Sequence, residues 1–322
     1  MKNLPESRSL CRGARRIGWR FAGGIILGLL AVCPVGAEEP VRGMEGDLWA
    51  DVIIGQPDFS EISPYATVPN KVSTYGGVLI DRTVTATAPF QKLYIYDARH
   101  HRVLGWNWDA LLASPADPTN LPAQIVLGQP NMYTSAGNGD SGFQRFPIEA
   151  PASASTLRGQ PEWAISLTES GAAVSMDVDA EGNLYVFDAF NHRVLRYNRP
   201  FEDPDRAADA VWGQDDFSGK EANKGRSSPD ATSLRYGWNW GNNAGVGVEV
   251  DTSGNLWVAD NNNNRVLRFP PGSKTADLVL GQPNFTSGEP QTSFGISLTC
   301  PSETIPTSSS RLNTGKWVKR CL

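Results

Sequence analysis

Histidine, cysteine and methionine are scarce, numbering 3, 4 and 4 in 322 residues. So few metal-ligating and disulfide-forming side chains exclude a stapled framework, and stability has to come from a packed core. Long apolar runs are also missing. The one candidate, Phe21 to Val32, is about 12 residues long, against the roughly 20 that a membrane-spanning helix needs. No phosphate-cradling glycine loop is present either, because "GVGVEV" (245–250) reads as a strand rather than the opening of a helix. What is abundant is glycine and proline, 32 and 23 residues set among Val, Tyr, Trp and Thr. That mixture suits strands broken by frequent turns better than long helices.

Residues 1–37 read as a leader. Lys2, Arg8, Arg12, Arg15, Arg16 and Arg20 precede the short apolar run, and Val35-Gly36-Ala37 offers small residues for cleavage before Glu38. Arg15-Arg16 and Leu30-Ala31-Val32-Cys33 bear partial likeness to twin-arginine and lipoprotein signals, which leaves the export route open; a membrane anchor is the competing reading. Cleavage predicts an exported protein, periplasmic or extracellular, with no membrane span. It takes the formal charge from −5 to about −10. Such a surface repels phosphate backbones, which excludes nucleic acid as the expected partner. Cys300 and Cys321 remain after cleavage, and an exported chain can join them.

The chain repeats. "KLYIYDARHHRVLGW" (92–106), "NLYVFDAFNHRVLRY" (183–197) and "NLWVADNNNNRVLRF" (255–269) superimpose without a gap. The four asparagines, 261 to 264, thus lie opposite Ala-Phe-Asn-His and Ala-Arg-His-His in the other copies, and their low complexity is incidental. Each copy follows an apolar segment ("GGVLID", "VSMDVD", "VGVEVD") and precedes another ("AQIVLGQPN", "ADAVWGQDD", "ADLVLGQPN"). Short links between four such runs predict an antiparallel meander. Its second and third strands are apolar almost throughout, as expected of a sheet covered on both faces. Sheets stacked about an axis meet that need, and the result is a β-propeller.

The pattern small-x-x-Val-Asp, Gly-Asn-Leu-Tyr-Val-x-Asp, Asn-His/Asn-Arg-Val-Leu-Arg-Phe/Tyr resembles the NHL-repeat β-propellers, in the bacterial exported form with a "VLGQPxF" strand. The resemblance covers roughly 50–285 and implies an all-β fold of four-stranded antiparallel blades. Residues 38–285 are expected to hold about three recognisable blades and 286–322 an irregular tail. "ADVIIGQPDF" (50–59) is a fourth strand without its own first three, and "FGISLT" (294–299) and "KWVKRC" (316–321) supply them poorly. The expectation is an incomplete or unclosed ring, either a truncated product or one completed by self-association through an open blade edge.

Each repeat places an acid five residues before an arginine: Asp97 and Arg102, Asp188 and Arg193, Asp260 and Arg265. Carboxylate and guanidinium can meet across the turn, with Asn191 and Asn263 bonding its bare backbone, so these residues are expected to be structural. The inserts 131–172 and 215–244 share that end of the blades and read as functional or poorly ordered loops. Within the second, Trp238, Asn239 and Trp240 form a candidate stacking platform for a sugar or an anchor for a protein, or plug a gap between blades. Trp106 aligns with Tyr197 and Phe269 in the core. "GDSGF" (139–143) lies in a glycine-rich link and reads as a loop, not a protease nucleophile.

His100, His101 and His192 invite comparison with the metal site of an amidating lyase related to these propellers, but they fall in the turns and do not converge. Glu249, Asp177 and Asp251 are too few for the calcium site of a lactonase. The reading is therefore a non-catalytic exported scaffold that binds a protein or glycan through its inter-blade loops, with no cofactor or metal. A metal-dependent propeller hydrolase or lyase is the alternative.

Overall fold

The computed structural model describes residues 53–55, 67–72, 77–113, 121–139, 151–159, 175–236 and 247–290. Strands β1 (Val78–Asp81), β2 (Lys92–Asp97), β3 (Arg102–Asn107) and β4 (Ile125–Leu127) form the first antiparallel sheet, in sequence order. The pattern recurs in β5 (Met176–Val178), β6 (Leu184–Asp188), β7 (Arg193–Tyr197) and β8 (Ala210–Trp212). It recurs again in β9 (Val248–Val250), β10 (Leu256–Asp260), β11 (Arg265–Phe269) and β12 (Leu278–Leu280). These are blades 1, 2 and 3. In each, the middle hairpin ends on an acid opposite an arginine: Asp97 on Arg102, Asp188 on Arg193 and Asp260 on Arg265.

Local chemistry explains the meander. At the first reversal of blades 2 and 3, Asp179 and Asp251 open the turn by accepting the amides of Asn183 and Asn255 through Oδ1, at 2.9 and 3.0 Å. Asp251 also accepts from Trp257 Nε1 at 2.9 Å. Burial pushes its carboxyl up, but the hydrogen bonds from Trp257, Asn255 and Ser253 prevail and hold it at about 2.

Alternation along the strands sends neighbouring side chains into different layers. Leu184 and Val186 of β6 pack with Tyr94, Tyr96, Val103 and Leu127 of blade 1. Tyr185 and Phe187 of the same strand pack with Val258, Leu267 and Phe269 of blade 3. Both faces of blade 2 are covered, hence its unbroken apolar runs. A fully buried side chain of this size contributes roughly 1.5–3 kcal/mol, so the inter-blade layers are the core. The first strands of successive blades lie together: Asp177 Oδ2 on β5 accepts the Val250 amide of β9 at 2.6 Å, and Ser175 Oγ accepts that of Val248 at 2.9 Å.

The outer face of blade 1, with Leu93, Ile95, Leu104 and Trp106, is covered by Leu111 of a short helix α1 (Trp108–Ala113) and by Ile54 and Val72. Composition gave no sign of that helix. Asn107 Oδ1 accepts the Ala110 amide at 2.9 Å and so starts it. Trp106 is buried, as are Tyr197 and Phe269. Among the described residues the three sheets do not close into a ring, and no helix is long and apolar enough to cross a membrane.

Candidate functional site

Each middle hairpin turns through one short 3₁₀ turn whose last residue adopts a left-handed conformation: His101, His192 or Asn264, with φ of 53, 51 and 53°. Within the turn the aspartate is the hub. Asp188 Oδ2 accepts from Arg193 Nε and Asn191 Nδ2, both at 2.8 Å. Asp260 Oδ2 accepts from Arg265 Nε and Asn263 Nδ2, both at 2.7 Å. In blade 1, Arg102 Nε and His100 Nδ1 occupy those places on Asp97 at 2.9 and 2.8 Å. The side chains of all three ion pairs are fully buried. A buried pair is costly to break, about 3–5 kcal/mol, because the orphaned charge stays behind.

The remaining guanidinium groups hold chain outside the blade. Arg193 Nη2 donates to the carbonyls of Ser153 and Thr156, and Arg265 Nη2 to those of Asp230 and Ser233, at 2.9–3.0 Å. Arg102 does the same to Val68 and Lys71. Here the structure adds to the sequence reading. The described parts of the inserts, 131–139, 151–159 and 215–236, are loops that carry a repeated element. Ala154-Ser-Thr-Leu157-Arg158 and Ala231-Thr-Ser-Leu234-Arg235 occupy the same place before blades 2 and 3. The amides of Arg158 and Arg235 donate to Oδ1 of Asp188 and Asp260, each at 2.7 Å. Aligning the inserts with each other would have revealed this Ala-x-x-Leu-Arg signal.

Two further parts complete the corner. Gln129, Gln214 and Gln282 of the Gly-Gln dipeptides donate through Nε2 to a corner carbonyl and to the carbonyl seven residues on, those of Ala136, Glu221 and Glu289. Asn138 and Asn223, from the links, pair reciprocally with Asn191 and Asn263 at 2.7–3.2 Å.

The histidines are used up in the same frame. His101 Nδ1 accepts the Gly159 amide at 3.2 Å and His192 Nδ1 that of Tyr236 at 3.0 Å, so each ring is neutral with its proton on Nε2. Burial, with Arg158 and His100 nearby, pushes His101 down to about 3. Burial, with Arg235 and Arg158, takes His192 to about 4. Among the described residues no three His, Cys, Asp or Glu side chains gather as a metal would require.

At the corner of blade 3 lies an open cleft of 320 Å³, lined by Asn223, Ser227, Ser228, Arg235, Asn263, Gln282, Thr286 and Glu289 among others. Arg235 uses its amide on Asp260 and leaves its side chain exposed. Sequence reading missed this cleft, because its lining comes from an insert, a corner and a link that are far apart in the chain. Trp238, Asn239 and Trp240 lie outside the described residues, as do the leader, Cys300, Cys321 and residues 140–143 of "GDSGF".

Residues 246–269, which include β9 to β11, match the NHL repeat. No curated protein matches the chain. Solved structures similar to it include virginiamycin B lyase from Staphylococcus aureus, 13% identical with a TM-score of 0.27. A streptogramin B lyase is 10% identical with a TM-score of 0.23. Both alignments cover 65% of this chain, and the chain spans 56% and 59% of those structures. A catalytically inactive virginiamycin B lyase from Staphylococcus aureus with quinupristin is 14% identical, covering 66% of this chain and 58% of that one, with a TM-score of 0.24. Blade 3 carries the NHL repeat, and blades 1 and 2 repeat its strand order and its Asp-to-Arg corner, an arrangement of three four-stranded antiparallel sheets consistent with an NHL-repeat β-propeller.

Proposed function

We propose that the chain is an exported, non-catalytic propeller scaffold that binds a glycan in the cleft before blade 3. One observation carries this reading: the corner acids, amides, arginines and all three histidines are bonded to one another or to backbone, which leaves the exposed polar groups of the cleft to meet a ligand. Ser227, Ser228 and Thr286 offer hydroxyls, Arg235 a planar donor and Glu289 an acceptor. That mixture suits a hydroxyl-rich molecule better than an apolar one. The histidines support the scaffold over a metal-dependent hydrolase or lyase, since His101 and His192 each spend one ring nitrogen on a backbone amide.

The test is binding of the leader-free chain to an array of glycans, followed by calorimetry on the best ligand with Ser228→Trp, which fills the cleft, and Arg235→Ala. A loss of about tenfold or more in each variant is expected, the value of one good polar contact. Glycan binding unchanged by Ser228→Trp would move the site elsewhere, and binding of proteins but no glycan would replace the ligand class. Stoichiometric zinc or calcium retained through dialysis would favour the metal-dependent enzyme instead.

A further inference from the structure

Gly55, Gly128, Gly213 and Gly281 head the four Gly-Gln dipeptides, and all four have positive φ, 94, 85, 91 and 87°. Three are buried, and Gly281 is exposed. The difference is a side chain from the following insert. A Cβ placed on Gly55 would meet Val72 at 2.9 Å, on Gly128 would meet Leu157 at 2.5 Å and on Gly213 would meet Leu234 at 2.7 Å. An aliphatic knob therefore fills the hole that each glycine leaves. At Gly281 the nearest atoms among the described residues are backbone, the Asn264 carbonyl oxygen at 3.0 Å and Arg265 Cα at 3.6 Å, and no aliphatic group of these residues is near. The residue beside the hole follows the same division: His101 is buried and bonded to Gly159, His192 is half-buried and bonded to Tyr236, while Asn264 in their place is exposed.

The chain beyond residue 290 contains a segment of the required kind. Gly295-Ile296-Ser297-Leu298 repeats the order small, any, hydroxyl, Leu of Ala154-Ser155-Thr156-Leu157 and Ala231-Thr232-Ser233-Leu234. Val72 follows Gly55 by 17 positions, and Leu298 follows Gly281 by the same 17. We propose that residues 295–300 of this chain's own tail dock on the corner of blade 3, with Leu298 over Gly281. The residue two places after Leu157 or Leu234 gives its amide to the corner histidine. Cys300 stands two places after Leu298, and its amide then faces Asn264, whose Oδ1 accepts as the imidazole nitrogen does. Thr299 replaces the arginine of the other two segments, whose amide serves the aspartate of a following blade. The segment is thus a fourth corner cover, seated beside the cleft because Asn264 Nδ2 already donates to the Gly288 carbonyl at the cleft wall.

Hydrogen exchange on the full chain, resolved by peptide, tests the docking. Amides 297–300 should exchange about tenfold or more slowly than those of 305–315 in the same molecule. Leu298→Asp should abolish that protection and speed exchange at 281–290, with the corners at 101 and 192 unchanged; Leu312→Asp, a charge placed elsewhere in the tail, should alter neither. Exchange at 297–300 as fast as at 305–315 overturns the proposal. So does protection that fades on dilution, which would assign the hole to a second copy.

Discussion

At the corner, blades 2 and 3 match atom for atom: Asp188, Asn191 and Arg193 make the bonds that Asp260, Asn263 and Arg265 make, each within about 0.1 Å of its counterpart. On the face turned away from blade 1 they part. Tyr185, Phe187, Val194 and Trp212 of blade 2 are buried beneath blade 3. Their register equivalents in blade 3, Trp257, Ala259, Val266 and Leu280, are half-buried. Bonds within the unit repeat because the unit needs them to turn. The face is set by what lies against it, so it varies from blade to blade.

Exchanging the face residues breaks this contrast most severely. Phe187→Ala removes a buried ring between two blades and should cost about 3–5 kcal/mol. Ala259→Phe, at the equivalent place in blade 3, should change stability by less than about 1 kcal/mol, because the added ring has room at a half-exposed face. Denaturant unfolding of both variants measures the two values. A large penalty for Ala259→Phe would mean that this face is covered in solution. Light scattering would then separate a second copy of the chain from a further part of the same one.

The contrast also explains how much of the molecule was legible in its sequence. Strand order and the acid-to-arginine turn could be read because the partners lie five residues apart and recur three times in register. The four asparagines resolve into separate tasks for the same reason: Asn263 bonds Asp260, and Asn264 takes the left-handed position that histidine holds elsewhere. The cover segments were not read, because Leu157 and Leu234 follow their glycines at different distances across polar inserts, and a variable gap hides a repeat. Helix α1 was missed since "WDALLA" occurs once and its Asn107 cap sits at the end of a strand. The cleft had no signal in any one segment.

A smaller effect separates the blades by pH. Free imidazole titrates near 6.5, whereas His101 and His192 titrate at about 3 and about 4 in the fold. The unfolded chain therefore binds more protons as pH drops below 6.5. The stability linked to these rings is complete above that value and is lost as pH falls toward their folded values. By pH 5 the loss should be on the order of 2 kcal/mol for each ring. Blade 3 carries Asn264 in that position, which does not titrate. His192→Asn keeps an acceptor for the Tyr236 amide and should remove about half of the change in unfolding free energy between pH 7 and pH 5. An unaltered pH dependence in that variant would show that His192 takes up its proton equally in the folded and unfolded chain.

The smallest expected difference lies on the rims. Arg196 meets Asp209 through two bonds of 3.0 and 2.7 Å, and Arg268 meets Asp277 at 2.9 and 2.8 Å. The pairs are 31–42% exposed, so water and salt screen them and each should contribute about 0.2–1 kcal/mol. Geometry alone makes them equals. Behind Arg268, however, stands the Trp257 ring, its centroid 5.7 Å from the guanidinium carbon, whereas the corresponding Tyr185 meets Arg196 through its hydroxyl and leans its ring on Trp212 at 5.7 Å between ring centres. A cation over an exposed indole adds about 0.5–1 kcal/mol. Arg268→Ala should therefore cost more than Arg196→Ala by that amount, while double-mutant cycles with Asp277→Ala and Asp209→Ala should return similar coupling in the two blades. If the single substitutions cost the same, the indole contributes no more to Arg268 than the Tyr185 hydroxyl contributes to Arg196.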